Sequence, residues 1–190
     1  MDAMDQDKTA LPRLATTPKT LGNLWRVKVG LMAALVHGVG IYGFFDAYQW
    51  GHGSSYTISA LVHVLLMLDS LPDVLYLQLD NCPGQNKNRF VLGFLAYLIE
   101  AGVFKKVKLS FLMVGHTHED IDQIFSRLSV WLSREDVFTI SSLIKCFESC
   151  SRKSNITGIS QTVLTKKKRV CITVDFCKIS FYMLKELKKT

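Results

Sequence analysis

Two acidic loops lie in the stretch that decides the fold, residues 74–131. The first reads Asp80-Asn81-Cys82-Pro83-Gly84-Gln85-Asn86-Lys87-Asn88-Arg89. The second reads Gly115-His116-Thr117-His118-Glu119-Asp120-Ile121-Asp122. Each loop follows an apolar, β-rich run and opens an apolar helix pattern. If the two strands are neighbours in one sheet, both loops leave the same edge, where ligands and metals bind in open α/β sheets.

Composition bounds the classes of protein to consider. The chain has 190 residues, 48% of them hydrophobic, which is enough for one domain with a small appendage. The formal net charge of +7 favours an anionic partner, with nucleic acid as the first candidate and a plain basic surface as the alternative. We therefore expect a globular α/β domain that binds DNA.

The cysteines and apolar runs bear on the compartment. There are five cysteines and no Cys-x-x-Cys pair, which argues against a disulfide framework or a structural zinc cluster. The longest apolar runs, residues 31–45 and 90–104, are too short to cross a membrane, and no leader sequence opens the chain. The basic run 166–169 is a weak nuclear-targeting signal. We expect an intracellular, nuclear protein.

Hydrophobic periodicity predicts alternating elements. The predicted order is a hairpin (25–37 and 41–48), a helix (58–68) capped by Thr57, a strand (74–79), a helix (88–101), a strand (105–114) and helices at 118–133 and 138–150, the last capped by Thr139. Strand 74–79 and helix 88–101 are expected to be buried on every side. Residues 151–165 read as polar loop, 170–174 as a strand and 181–189 as a short helix. The predicted domains are 1–150 and a basic extension, 151–190.

Asp80 is the first candidate site residue, because it directly follows a predicted buried strand. A carboxylate there can hold Mg²⁺ or Mn²⁺, which prefer oxygen ligands. An aspartate that begins a turn is the alternative. Lys87 and Arg89 lie at a helix N-terminus, where cations are unfavourable unless an anion is bound or both side chains point into solvent.

In the second loop, Asp122 is the strongest candidate. Thr117-x-x-Asp120 has the form of a capping box, and Glu119 and Asp120 stabilise the first turn of a helix in any case. Asp122 flanks the apolar stripe and lies one turn after His118.

Two rival chemistries use the same loops. His116-x-His118-x-Asp120 resembles the zinc motif of metallo-β-lactamase-like hydrolases, although Ile121 stands where that motif has a further histidine. Cys82 is a candidate nucleophile, but a lone loop cysteine is more often inert.

Three motifs together resemble an uncharacterised eukaryotic domain family that is abundant in invertebrate genomes and thought to derive from DNA transposons. The likeness covers roughly residues 1–150. The motifs are Asp2-Ala3-Met4-Asp5-Gln6-x-Lys8-Thr9-x-Leu11-Pro12, Leu77-Gln78-Leu79-Asp80-Asn81 with Asn86-Lys87-Asn88-Arg89, and Val114-Gly115-His116-Thr117-His118-Glu119-Asp120-Ile121-Asp122-Gln123.

The resemblance implies a ribonuclease-H-like fold of the integrase type, with a central mixed sheet flanked by helices. Its three catalytic and metal-binding acids would be Asp2 (or Asp5), Asp80 and Asp122, with His116, His118, Glu119 and Asp120 as secondary or orienting groups. The reaction would be Mg²⁺- or Mn²⁺-dependent cleavage and transfer of DNA strands. Asn86, Lys87, Asn88 and Arg89 would contact the DNA backbone.

The chain departs from the family pattern at its start. The family usually has glycine where this chain has Ala3, and an apolar strand before Asp2. Without that strand Asp2 is expected to lack support, and composition favours a frayed acidic terminus. We therefore expect a fragment or an incomplete gene copy. A decayed, non-catalytic binding domain is the second hypothesis and a zinc hydrolase is the third.

Overall fold

The structure, a computed structural model, describes residues 1–16, 18–22, 24–48, 51–111, 120–150 and 155–160. Its strands are β1 (Asp2–Ala3), β2 (Gly30–Val36), β3 (Gly40–Asp46), β4 (Val74–Leu79), β5 (Lys106–Phe111) and β6 (Ile156–Ser160). Its helices are α1 (Gln6–Thr9), α2 (Ser54–Leu66), α3 (Arg89–Glu100), α4 (Asp120–Leu132) and α5 (Ile140–Ser149), with a 3-10 turn at Lys19–Leu21. The chain is an α/β protein with a mixed sheet flanked by helices, and it divides into two compact units.

The first unit is built on the hairpin of β2 and β3, which confirms the predicted pair of strands. The two strands pair antiparallel along seven residues each, and the full sheet has the order β1-β2-β3-β6. α4 packs against β2, and α5 packs against β3 and β6. The apolar stripe predicted for α4 is buried at Ile121, Ile124, Phe125, Leu128 and Leu132.

The N-terminal segment is docked along β2 and the end of α4. Asp2 pairs with Ala33, Met4 N donates to Leu31 O at 2.8 Å, and Thr9 Oγ1 donates to Val29 O at 2.6 Å. Isolated β-bridges then join Leu11 to Val27 and Arg13 to Val137. The Arg13 guanidinium also donates to two carbonyls, of Leu132 (3.2 Å) and Lys8 (2.8 Å), and burial lowers its pKa. The expectation of a frayed terminus with an unsupported Asp2 was therefore wrong, because pairing with a buried strand outweighs the acidic composition.

β6 corrects the predicted polar loop at 151–165. Residues 156–160 pair in parallel with β3, so the sheet continues past residue 150. A side chain at Gly158 would overlap Ile144 of α5, and the Gly158 N–H donates to Glu148 Oε1 at 3.0 Å. The glycine, which weakens a strand signal in the sequence, is what lets α5 lie close to this strand.

The second unit contains α2, α3 and the parallel pair β4–β5, so the condition that these two strands are neighbours in one sheet is met. The predicted burial of β4 on both faces was wrong, because Tyr76 is 70% exposed and Gln78 is also exposed. Leu77 and Leu79 alternate with them and are buried. β4 is therefore a strand of which only one face is covered, although its sequence is largely apolar.

α3 differs from its prediction in its burial, and α2 differs in where it begins. α3 buries Val91, Phe94, Leu95 and Leu98, while Phe90, Leu92, Tyr97 and Ile99 are between 38% and 49% exposed, so it is not buried all round. α2 begins at Ser54 after Gly53, three residues before the predicted cap Thr57.

The last helix matches its prediction. Thr139 caps α5 through an acceptor bond from Ser142 N at 3.1 Å. The expectations for residues 112–119, 166–169, 170–174 and 181–189 lie outside the described residues.

Gly43 offers a test of the packing of α5 on β3. An added methyl would overlap the Phe147 ring, so Gly43→Ala should lower the free energy of unfolding by about 1–3 kcal/mol, as measured by urea denaturation. Phe147→Leu makes room for that methyl. If the double variant is as unstable as the sum of the two single variants, the contact does not limit stability.

Candidate functional site

Asp2 lies on the side of the sheet that α4 covers. It is half-buried, and its partner in the antiparallel register is Ala33, a fully buried residue of the core that α4 completes. Residues directly opposite each other in an antiparallel pair point to the same face. The Asp2 side chain therefore points to the same face as Ala33.

Asp122 lies in the first turn of α4 and is half-buried. It stands next to Ile121, and Ile121 and Ile124 both enter the core that contains Ala33. Asp2 and Asp122 are thus carried on the same side of one sheet. That these two acids share one site is implied by the family resemblance and stays a prediction.

The neighbouring acids have different surroundings. Asp120 is exposed and lines, with Gln123 and Arg127, a cavity of about 520 Å³ beside the β2–β3 turn; Asp122 is not among the described residues that line it. Asp5 is exposed and caps α1 by accepting from Asp7 N at 3.1 Å. Asp2 Oδ1 likewise accepts from Ala3 N at 2.7 Å, so these local bonds do not decide between Asp2 and Asp5 as the first acid.

Asp80 belongs to the second unit, whereas Asp2 and Asp122 belong to the first. It is half-buried and follows the last residue of β4, Leu79, which pairs with Phe111 at the end of β5. The acid therefore stands at the carboxyl edge of a parallel pair, as the sequence predicted.

Two asparagines help to hold the loop after Asp80. Asn86 is 4% exposed, and its Oδ1 accepts from Thr57 Oγ1 at 2.9 Å. Asn88 Oδ1 accepts from the first-turn N–H groups of Phe90 (3.0 Å) and Val91 (3.1 Å). Contacts of Asn86 and Asn88 with DNA stay a prediction, and their visible role is structural.

Lys87 and Arg89 have aromatic neighbours. The Lys87 ammonium is 5.6 Å from the centroid of the Phe111 ring, and the Arg89 guanidinium is 5.0 Å from that of Phe90. Cation–π attraction thus offers a reason for cations at this helix start that needs no anion. Both side chains are exposed and stay predicted DNA contacts.

Asp46 is an acid that the sequence reasoning did not single out. It ends β3, is 1% exposed, and its Oδ1 accepts from Tyr48 N at 2.7 Å. The available signal was its position directly after an apolar strand, the same signal that selected Asp80. Burial raises the pKa of Tyr48, and nearby Asp46 adds to the effect.

The other candidates divide between two parts of the chain. His116, His118 and Glu119, with the capping residue Thr117, lie outside the described residues. Within the described ranges, no three His, Cys, Asp or Glu side chains form a group that could hold a metal. Cys82 is half-buried in the loop, and burial raises the pKa of the Cys146 and Cys150 thiols.

The family described as a domain of unknown function (DUF7869) matches residues 19–181. The chain belongs to this family. The matched region contains Asp80 and Asp122 and begins after Asp2 and Asp5. No curated protein and no solved structure matches the chain. Among the described helices, none is long and apolar enough to cross a membrane.

Thr57 and Asn86 test the support of the Asp80 loop. Thr57→Val leaves the buried Asn86 Oδ1 without this donor, so the free energy of unfolding should fall by about 1–3 kcal/mol. Thr57→Ser keeps a hydroxyl and should cost less. A larger loss for Thr57→Ser than for Thr57→Val, measured by urea denaturation, would show that packing of the threonine methyl matters more than the hydrogen bond.

Asn88 tests the start of α3. Asn88→Ala removes the acceptor for two N–H groups and the donor to Pro83 O (3.1 Å), and should cost about 0.5–2 kcal/mol. Asn88→Asp keeps the acceptor and should retain most of the stability. The matched measurement is thermal unfolding followed by circular dichroism, and an aspartate variant no more stable than the alanine variant would rule out the cap.

Proposed function

We propose that this chain is a transposon-derived domain with a ribonuclease-H-like arrangement, and that it cleaves and joins DNA strands with Mg²⁺ or Mn²⁺. Asp2, Asp80 and Asp122 are the acids of the site. The observation that carries the proposal is that Asp2 and Asp122 lie on the same side of one sheet. The position of Asp80 at the carboxyl edge of β4–β5 supports it.

The donor set fits the proposed metal. All three side chains are carboxylates, and hard divalent cations take oxygen ligands, commonly one or two carboxylates with water and substrate phosphate. Each of the three is half-buried, so each combines a fixed backbone with access to solvent. When bound, such metals supply an activated water or 3′-hydroxyl and stabilise the leaving oxygen.

The chain's own residues fix the positions of the three acids and offer positive charge to the phosphates of DNA. β1, held on β2, fixes the backbone of Asp2, and the first turn of α4 fixes that of Asp122. The Asn86 and Asn88 hydrogen bonds shape the loop after Asp80, and exposed Lys87 and Arg89 are available to phosphate. Contacts to phosphate hold DNA in register without reading its sequence.

The test is metal binding by titration calorimetry in the presence of a short DNA duplex. Asp80→Asn and Asp122→Asn should each abolish the Mn²⁺ heat and reduce Mg²⁺-dependent nicking of DNA by at least about 100-fold, more than is typical for loss of a group supporting a metal ligand. Asp69→Asn, an exposed acid after α2, is the matched control and should behave as wild type.

The double variant separates one site from two. If Asp80 and Asp122 hold the same metals, the double variant should lose no more than either single variant, because groups of one site are not additive. Unchanged metal binding and unchanged cleavage in folded Asp80→Asn/Asp122→Asn protein would refute the catalytic proposal. In that case a non-catalytic, DNA-binding copy becomes the better account, provided that the protein still binds DNA.

The zinc-hydrolase alternative is decided in the same samples. It requires stoichiometric zinc that is lost on replacing His116 or His118, because its donor set combines imidazoles with the Asp120 carboxylate. Metal analysis of the purified protein and of His118→Ala measures this directly.

A further inference from the structure

Among the residues that the structure describes, one face of the β4–β5 pair is exposed to solvent. Strand positions alternate between a buried side and an exposed side, and the register joins Tyr76 to Lys108 and Gln78 to Ser110. Lys106 lies on the same side, two residues before Lys108 on β5. We refer to Tyr76, Lys106 and Lys108 as the lysine face.

An open face is unusual for parallel strands. Parallel pairs normally occur with both faces covered, so a cover is expected here as well. The chemistry of the face describes that cover. The described strand residues on it include two lysines and a tyrosine, and its acid, Asp80, lies just beyond the end of β4, so the strand part of the face suits a polar anion better than an apolar helix.

The ammonium groups of the lysine face retain donors for binding an anion. Lys108 Nζ donates to Tyr76 OH at 3.1 Å and lies 4.7 Å from the ring centroid, and an ammonium group has two further N–H donors. Within the described ranges Lys106 forms no ion pair. Asp73, which directly precedes β4, forms its ion pair with Lys105 at 2.7 Å.

We propose that the lysine face binds the phosphate backbone of a nucleic-acid strand and leads it toward Asp80. The alternation that exposes Tyr76 and Gln78 continues to Asp80, which lies four residues from Tyr76, or about 13 Å along an extended strand. Lysines bind phosphate as point charges, and an exposed tyrosine ring beside them offers a surface for base stacking. The inference rests on the proposed function in taking the ligand to be the substrate of Asp80.

The experiment measures fluorescence anisotropy of a labelled 20-nucleotide single strand and of the matching duplex. The variant is Lys106→Ala/Lys108→Ala, and the control is Lys19→Ala/Lys145→Ala, which removes the same charge from exposed positions of the first unit. Circular dichroism confirms that both are folded. A salt titration from about 0.05 to 0.2 M accompanies each binding curve.

The expected loss follows from counterion release. Each lysine–phosphate contact contributes about 0.7 to the slope of log K against log salt for a single strand, so the slope should fall by about 1.4. At 0.1 M salt this corresponds to about 25-fold weaker binding for the double variant. Tyr76→Ala should weaken single-strand binding by about fivefold or more, while Tyr76→Phe keeps it.

The outcomes separate this inference from the proposed function. Equal losses in the variant and the control, or competition by polyglutamate as effective as that by DNA, would overturn the lysine face, even if Asp80 proves catalytic. A specific loss in Lys106→Ala/Lys108→Ala without any metal-dependent cleavage would support the face and leave the catalytic proposal refuted. Wild-type protein that binds neither DNA form would overturn the face outright.

Discussion

The seven-residue pairing of β2 with β3 is the interaction on which the first unit depends. Both strands are buried along most of their length, so their backbone groups must find partners in a sheet. β1 completes the free edge of β2, and β6 completes that of β3. The edge-to-face contact of Phe45 with Phe147, with ring centroids 5.5 Å apart, fastens α5 to the hairpin.

The same pairing explains why the acidic start of the chain is ordered. Three aspartates within seven residues repel one another and, taken alone, do not predict structure. Met4 lies among them and Thr9 and Leu11 follow them, and all three are buried against β2 and the segment that precedes it. Burial of these side chains and the backbone bonds outweigh the repulsion, and Asp2 acquires a defined position beside Ala33.

In the second unit, the polar residues that were predicted to contact DNA also make structural contacts. Asn86 and Asn88 shape the loop after Asp80 through Thr57 and the start of α3. Lys87 and Arg89 lie against aromatic rings. The proposed function of this unit therefore rests on Asp80 and on the exposed groups of β4 and β5.

The sequence by itself determined the order of most helices and strands, the β2–β3 hairpin and the Thr139 cap. These follow from local periodicity and capping, which act within a few residues. The common side of Asp2 and Asp122 was implied only by the family resemblance. Tertiary structure decided what depends on distant partners: β1 and β6 became strands because β2 and β3 offered open edges, and Gly158 makes room for Ile144. Tertiary structure also decided which faces of β4 and α3 are covered. An apolar residue can be buried, but its position in the sequence does not show which element will pack against it.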